Sequence, residues 1–127
     1  TGGIFHTVGS NDNYWQVDLG SSQPISAIDI SARTDGWNEQ LTGYYVFASD
    51  QPFASELFAP TVADPNVSTW YVGPYSLITK ITANRTARYV RLQRAGSGTS
   101  LVFTEVRVWS QQANTKLLSI PAAAATK

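Results

Sequence analysis

Cysteine is absent from this chain and histidine occurs once. Without cysteine, disulfides cannot hold the fold and a cysteine nucleophile is excluded. One histidine and no thiol also exclude a zinc centre of the cysteine/histidine kind. Charge is scarce as well: 14% of residues are charged, and nine basic residues balance nine acidic ones. Binding to nucleic acid or to an anionic membrane needs a basic surplus, so neither is expected as a partner. No apolar run is long enough to span a bilayer. The chain carries no signal peptide and begins with Thr1, as expected of a processed chain or a segment excised from a longer protein. Enzyme motifs are missing too, with no nucleophile elbow, phosphate loop or paired-histidine zinc motif. A Ser-His-Asp triad would have to use His6, and no serine has a supporting signature around it. A non-catalytic binding protein, alone or as an accessory module of an enzyme, is the expected class.

What the chain does have is aromatic side chains, at 12%, in 127 residues, enough for one domain with a real core. "YWQVDLG" (14–20) sets Trp15, Val17 and Leu19 against Tyr14, Gln16 and Asp18, the period of two of a half-buried strand. "SSQP" then reads as a turn. "ISAIDISAR" (25–33) places Ile28 and Ile30 on one face with Ser26 and Ala32. "GYYVFASD" (43–50), "STWYVGPY" (68–75), "LITKITA" (77–83), "ARYVRLQRA" (87–95) and "LVFTEVRVWS" (101–110) add further strands of β-branched and aromatic residues. A short helical turn is expected around Ala54–Leu57, between two prolines. Short strands with turns about every ten residues indicate an antiparallel sandwich or barrel. Trp15, Trp70 and Trp109 fall in strands and are expected in the core or between sheets. Asp18 is expected to pair with an arginine of "ARYVRLQR" in a structural role.

Three pieces, "NYWQVDLG", "ISAIDISARTD" and "ARYVRLQ…GTSLVFTEVRVW", together resemble a discoidin-type domain. That family includes coagulation-factor C domains, many carbohydrate-binding modules and the F-type fucose lectins. The resemblance covers residues 1–110 and implies an all-β, antiparallel jelly-roll β-sandwich of the galactose-binding-domain kind. Within it, F-type lectins carry a histidine, then twenty-six residues, then Arg-x-Asp, then four residues and a basic side chain. His6, Arg33 and Asp35 match that register, and Gln40 stands where the basic residue belongs. The family's adjacent cysteine pair aligns with Gly36-Trp37. The resemblance therefore implies a sugar site of His6, Arg33, Asp35, Trp37 and Gln40. A guanidinium fork can span two adjacent sugar oxygens, and an indole offers a flat partner to the apolar face of the ring. Gln40 donates more weakly than a charged group would, so galactose-type ligands stand beside fucose. Arg33 has a plainer alternative use, pairing with Asp35 or Glu39 on the surface.

The resemblance also implies calcium, held by oxygen donors. Glu105, Thr104 and Gly3 match part of that ligand set, while the family's early Asp/Asn-rich turn is missing from this sequence, so the calcium site within it is expected to be incomplete. In residues 111–127, "KLLSIPAAAA" is similar to the opening strand of a discoidin domain. It is expected to begin a following repeat, or to supply a permuted first strand along a sheet edge over 115–121. Docked on another copy, it would drive self-association. Glycans are the expected partners and the outside of the cell, secreted or at the surface, the expected location. The competing reading is a structural or adhesion module acting through protein–protein contacts.

Overall fold

The computed structural model describes residues 5–6, 14–31, 43–73, 78–95, 102–103, 105–110 and 116–121, with side chains at 14–31, 43–73, 78–95, 103 and 105–110. The elements in chain order are β1 (Phe5–His6), β2 (Tyr14–Ser31), β3 (Tyr44–Ser49), α1 (Phe58–Ala63), β4 (Ser68–Val72), β5 (Ile78–Gln93), β6 (Val102–Phe103), β7 (Glu105–Ser110) and β8 (Lys116–Pro121). One sheet runs β4-β3-β5-β2-β7-β8, and β1 pairs separately with β6. Every pairing is antiparallel.

Two strands are much longer than the turn signals imply. β2 continues for 18 residues through the expected "SSQP" turn, and "LITKITA" and "ARYVRLQRA" merge into the 16 residues of β5. The turn-forming residues make irregularities inside strands instead. Between the pairs Asp18↔Tyr89 and Gln23↔Ala87, β2 has four residues where β5 has one. Between Ile25↔Arg85 and Ala27↔Thr82, β5 has two residues where β2 has one. Gly20 at φ 91° and Asn84 at φ 46° lie in these two places, in backbone conformations that glycine and asparagine accept most readily. Bulges of this kind bend a strand and increase its twist.

The bends divide the sheet into two halves that close on one core. Trp15, Tyr44, Val46, Val90 and Leu92 come from the half built by β3, β4 and the adjoining parts of β2 and β5. Ile28, Ile30, Ile81, Val106 and Val108 come from the other half, which contains β7 and β8. All ten are buried in a single cluster, so the halves face each other as the layers of a sandwich. This is the antiparallel sandwich that the strand pattern implied, and the all-β jelly-roll class that the family resemblance implied. Trp15 meets Phe103 edge-on, with ring centroids 5.5 Å apart. Burial pushes the Tyr44 hydroxyl up to about 12, against a smaller opposing effect of the Thr79 side chain across the sandwich.

The outer face of the first half is covered by the segment that follows β3. The expected helical turn at 54–57 forms one turn later, as α1. Pro60 is the third residue of α1, where a helix has no internal use for the N–H that proline lacks. The Thr61 hydroxyl closes the turn by donating to the Leu57 carbonyl at 2.8 Å. Beneath this cover, Arg91 is buried between the rings of Tyr14 and Phe53, 4.7 and 4.4 Å from their centroids. Its Nε donates to Gln16 Oε1 at 2.9 Å and its Nη1 to Thr61 Oγ1 at 3.0 Å. Burial lowers the guanidinium pKa, and nearby Tyr14 and Glu56 partly oppose that shift.

Two face assignments differ from the sequence expectation. Ser26 does not share the inner face with Ile28, because the register shift between Ile25 and Ala27 resets the alternation. Its hydroxyl donates instead to the Ser110 and Trp109 carbonyls at 3.0 and 3.3 Å. Trp109 is not a core residue: Val106 and Val108 fill the core, while Trp109 is half-buried and lines a groove on the outer face.

Candidate functional site

The expected sugar-reading set falls mostly outside the described residues. Arg33, Asp35, Trp37 and Gln40 belong to the connection that leaves β2 at Ser31 and precedes β3, and all four lie outside them. His6 is described by its backbone alone, in β1, where it pairs with Val102. The neighbouring strand β7 begins at Glu105, the register partner of Ser31. β6 and β7 are separated by position 104 only, so the His6 backbone and the exit of β2 are held at the same end of the molecule. The fold therefore gathers the chain positions that flank the motif, although they are far apart in sequence.

The proposed calcium ligands divide in the same way. Gly3 and Thr104 lie outside the described residues. Glu105 is half-buried, and its Oε1 accepts an N–H from Arg107 Nη1 at 2.9 Å, so a metal ion there would share the carboxylate with a guanidinium. Among the described residues, no group of three or more His, Cys, Asp or Glu comes together to hold a metal. Among them, too, no helix is long and apolar enough to cross a membrane.

Asp18 has the structural role that the sequence implied. Arg88 grips it with Nε to Oδ1 at 2.7 Å and Nη2 to Oδ2 at 3.0 Å. The Gly20 N–H donates to the same Oδ1 at 2.8 Å. The Arg88 hydrogen bond first, and the Gly20 N–H second, hold the carboxyl below its ordinary value. Asp18 thus fastens the first irregularity of β2 to β5.

A groove of about 260 Å³ opens on the outer face of the second half, lined by Ser26, Ala27, Lys80 and Trp109. The sequence reading missed it by assigning Trp109 to the core. The signal was present: in "EVRVWS" the alternation that turns Val106 and Val108 inward turns Arg107 and Trp109 outward.

A sequence model of the NedA-like galactose-binding domain matches residues 1–92. No curated protein matches the chain. Among solved structures, the lectin domain of lectinolysin complexed with Lewis B antigen has a TM-score of 0.68 at 22% identity, over 85% of this chain and 72% of that one. A fucose-binding module of Streptococcus pneumoniae gives 0.69 at 23% identity, over 85% and 70%. A fucolectin from the serum of striped bass, Morone saxatilis, gives 0.64 at 26% identity, over 84% of this chain but 36% of that one.

Proposed function

The chain belongs to the NedA-like galactose-binding domain family, and from that premise we propose that it is a non-catalytic carbohydrate-binding module. It would recognise fucose or galactose-type glycans through His6, Arg33, Asp35, Trp37 and Gln40. The observation that carries this reading is the convergence of β1 and the end of β2 at one end of the sandwich. It supports a shared site for His6 and the Arg33–Gln40 connection. In that site Arg33 would bridge two sugar oxygens, with Asp35 holding its guanidinium and Trp37 stacking on the ring. The structural neighbours bear names of fucose binding and of a Lewis B complex, which supports the sugar class. An extracellular setting, secreted or at the cell surface, is supported by the serum origin of the striped-bass lectin.

The test is retention on immobilised fucose and galactose. The wild-type chain should be retained on at least one, and Arg33→Ala should lose roughly tenfold or more in affinity, the magnitude of a lost charge-assisted hydrogen bond. Absence of binding across a broad glycan array would favour the adhesion reading. Calcium at Gly3, Thr104 and Glu105 belongs to the same proposal. A rise in Tm on adding calcium, reversed by EDTA and absent in Glu105→Gln, would support it, and an unchanged Tm would remove it.

A further inference from the structure

We propose that β4 is the interaction edge of this fold, and that its occupant is β4 of a second copy, paired antiparallel about a two-fold axis. The six-stranded sheet has two edges, β4 and β8. An edge strand presents unpaired N–H and C=O groups, and proteins that stay single blunt it with charge, proline or a bulge. β8 has all of these. Lys116 opens it, Pro121 ends it, and the register shift between Val108 and Trp109 gives it an extra residue there. β4, with the sequence STWYV, has none of them. It contains no charged residue and no proline, and its register with β3 is unbroken from Ser68 to Val72. Among the described residues only β3 pairs with it.

The side chains also suit pairing. Trp70 lies opposite Val46 and packs against the core, which fixes the two faces of the strand. Tyr71, opposite Tyr45, is thereby turned to the outer face, where it is 61% exposed. It ends an aromatic row that starts at α1: the Tyr45 ring centroid is 4.6 Å from that of Phe58 and 4.9 Å from that of Tyr71. The row stops at the sheet edge with its last ring uncovered, and a further strand would cover it. Arg85 reaches the start of β4 but is not turned out along the edge as a guard. Its Nη1 donates to Ser68 Oγ at 2.9 Å and to the Ala48 and Asn66 carbonyls, both at 3.2 Å.

Self-pairing follows from these features. A neutral strand meets its own copy without like charges facing each other. Every pairing in the sheet is antiparallel, and a two-fold axis makes the new one antiparallel as well. Aromatic and β-branched side chains then meet across the axis, a favoured cross-strand combination. The contact uses β4 of both copies and leaves only the blunted β8 edges, so association stops at the dimer. Two five-residue strands bury less than the roughly 1,200 Å² of a standard stable interface. The affinity is therefore micromolar or weaker, and the dimer dissociates on the dilution of a sizing column. The pairing uses none of the residues of the sugar site and stands whether or not that site binds.

The experiment is sedimentation equilibrium of the chain from about 1 µM to about 1 mM, with amide hydrogen exchange at both ends of that range. A monomer–dimer equilibrium without larger species is expected. Because β3 already takes the N–H groups of alternate β4 residues, exchange should slow with concentration at the intervening β4 residues, and nowhere in β8. Tyr71→Lys and Thr69→Lys each place a charge on the edge and should weaken the dimer roughly tenfold or more. An unchanged Tm shows that a variant is folded, and if neither folds the wild-type exchange pattern carries the test. A chain that stays monomeric at the top of the range, or exchange that slows in β8 instead of β4, would overturn the proposal. So would oligomers that grow without limit, or a dimer indifferent to both substitutions.

Discussion

Asp18 and Arg88 show how a surface pair can fix a backbone rather than merely decorate it. The carboxylate takes two N–H groups from Arg88 and one from Gly20, so one side chain joins β5 to the point where β2 departs from regular pairing. The pair is exposed, and its contribution to stability is correspondingly small. Its pH dependence has a definite sign. Arg88 lowers the folded-state pKa below the ordinary 3.8, so the stabilisation is complete above that value. It is lost as the pH falls from 3.8 through the lowered folded value. Asp18→Asn should therefore show a slightly reduced Tm at neutral pH, and the gap should close at acid pH. Thermal melts across that range check it; a gap that stays constant through the acid limb would count against the linkage. Arg91 presents the opposite case, a guanidinium hidden between two rings and tied to neutral partners. Its sequence context, alternating with Val90 and Leu92, placed it on the outer face, but nothing local announced that α1 would cover that face.

The strands are decided by their irregularities. An even alternation through β2 would have placed Ile25 opposite Ile28 and Ile30, yet all three are fully buried because the register shifts between Ile25 and Ala27. The matching two-residue excess in β5 includes Asn84 at φ 46°. A β-branched residue there would adopt a left-handed backbone against its own side chain. Asn84→Val should lower the unfolding free energy by about 1–2 kcal/mol, whereas Asn84→Gly should stay within a few tenths of wild type. Urea denaturation of both variants checks this, and equal losses in the two would show that the asparagine side chain, rather than the backbone, matters. Helix α1 was legible as a helical turn between prolines but displaced by one turn. Sequence punctuation alone cannot say whether Pro60 ends a helix or sits harmlessly in its first turn.

At the scale of the whole molecule, β8 closes the sheet against β7, with Val106 opposite Ile120 and Val108 opposite Leu118. Removing it would expose the backbone edge of a strand whose Val106 and Val108 side chains are core residues. A chain ending before Lys116 should therefore melt at a lower temperature and form concentration-dependent oligomers, measured by calorimetry and by light scattering after size exclusion. A truncated chain that stays monomeric with an unchanged Tm would show that β8 is dispensable. If β8 instead docks on a neighbouring copy, the full-length chain itself will self-associate, and the same scattering measurement separates the two arrangements.

The sequence by itself determined the class of fold. Period-two alternation and aromatic, β-branched strands require a sheet with a buried face, and the absence of cysteine requires that face, rather than disulfides, to hold it. It also determined the pairing of Asp18 with an arginine of β5. Only the tertiary structure decided which face each strand turns inward, because one bulge inverts the alternation and bulges depend on the partner strand as much as on the chain itself. Trp109 lies outside by the regular alternation of β7, but its neighbours there, Asp29 and Lys80, are distant in sequence. Those three residues come from three strands, and only the pairing of β2 between β5 and β7 brings them together.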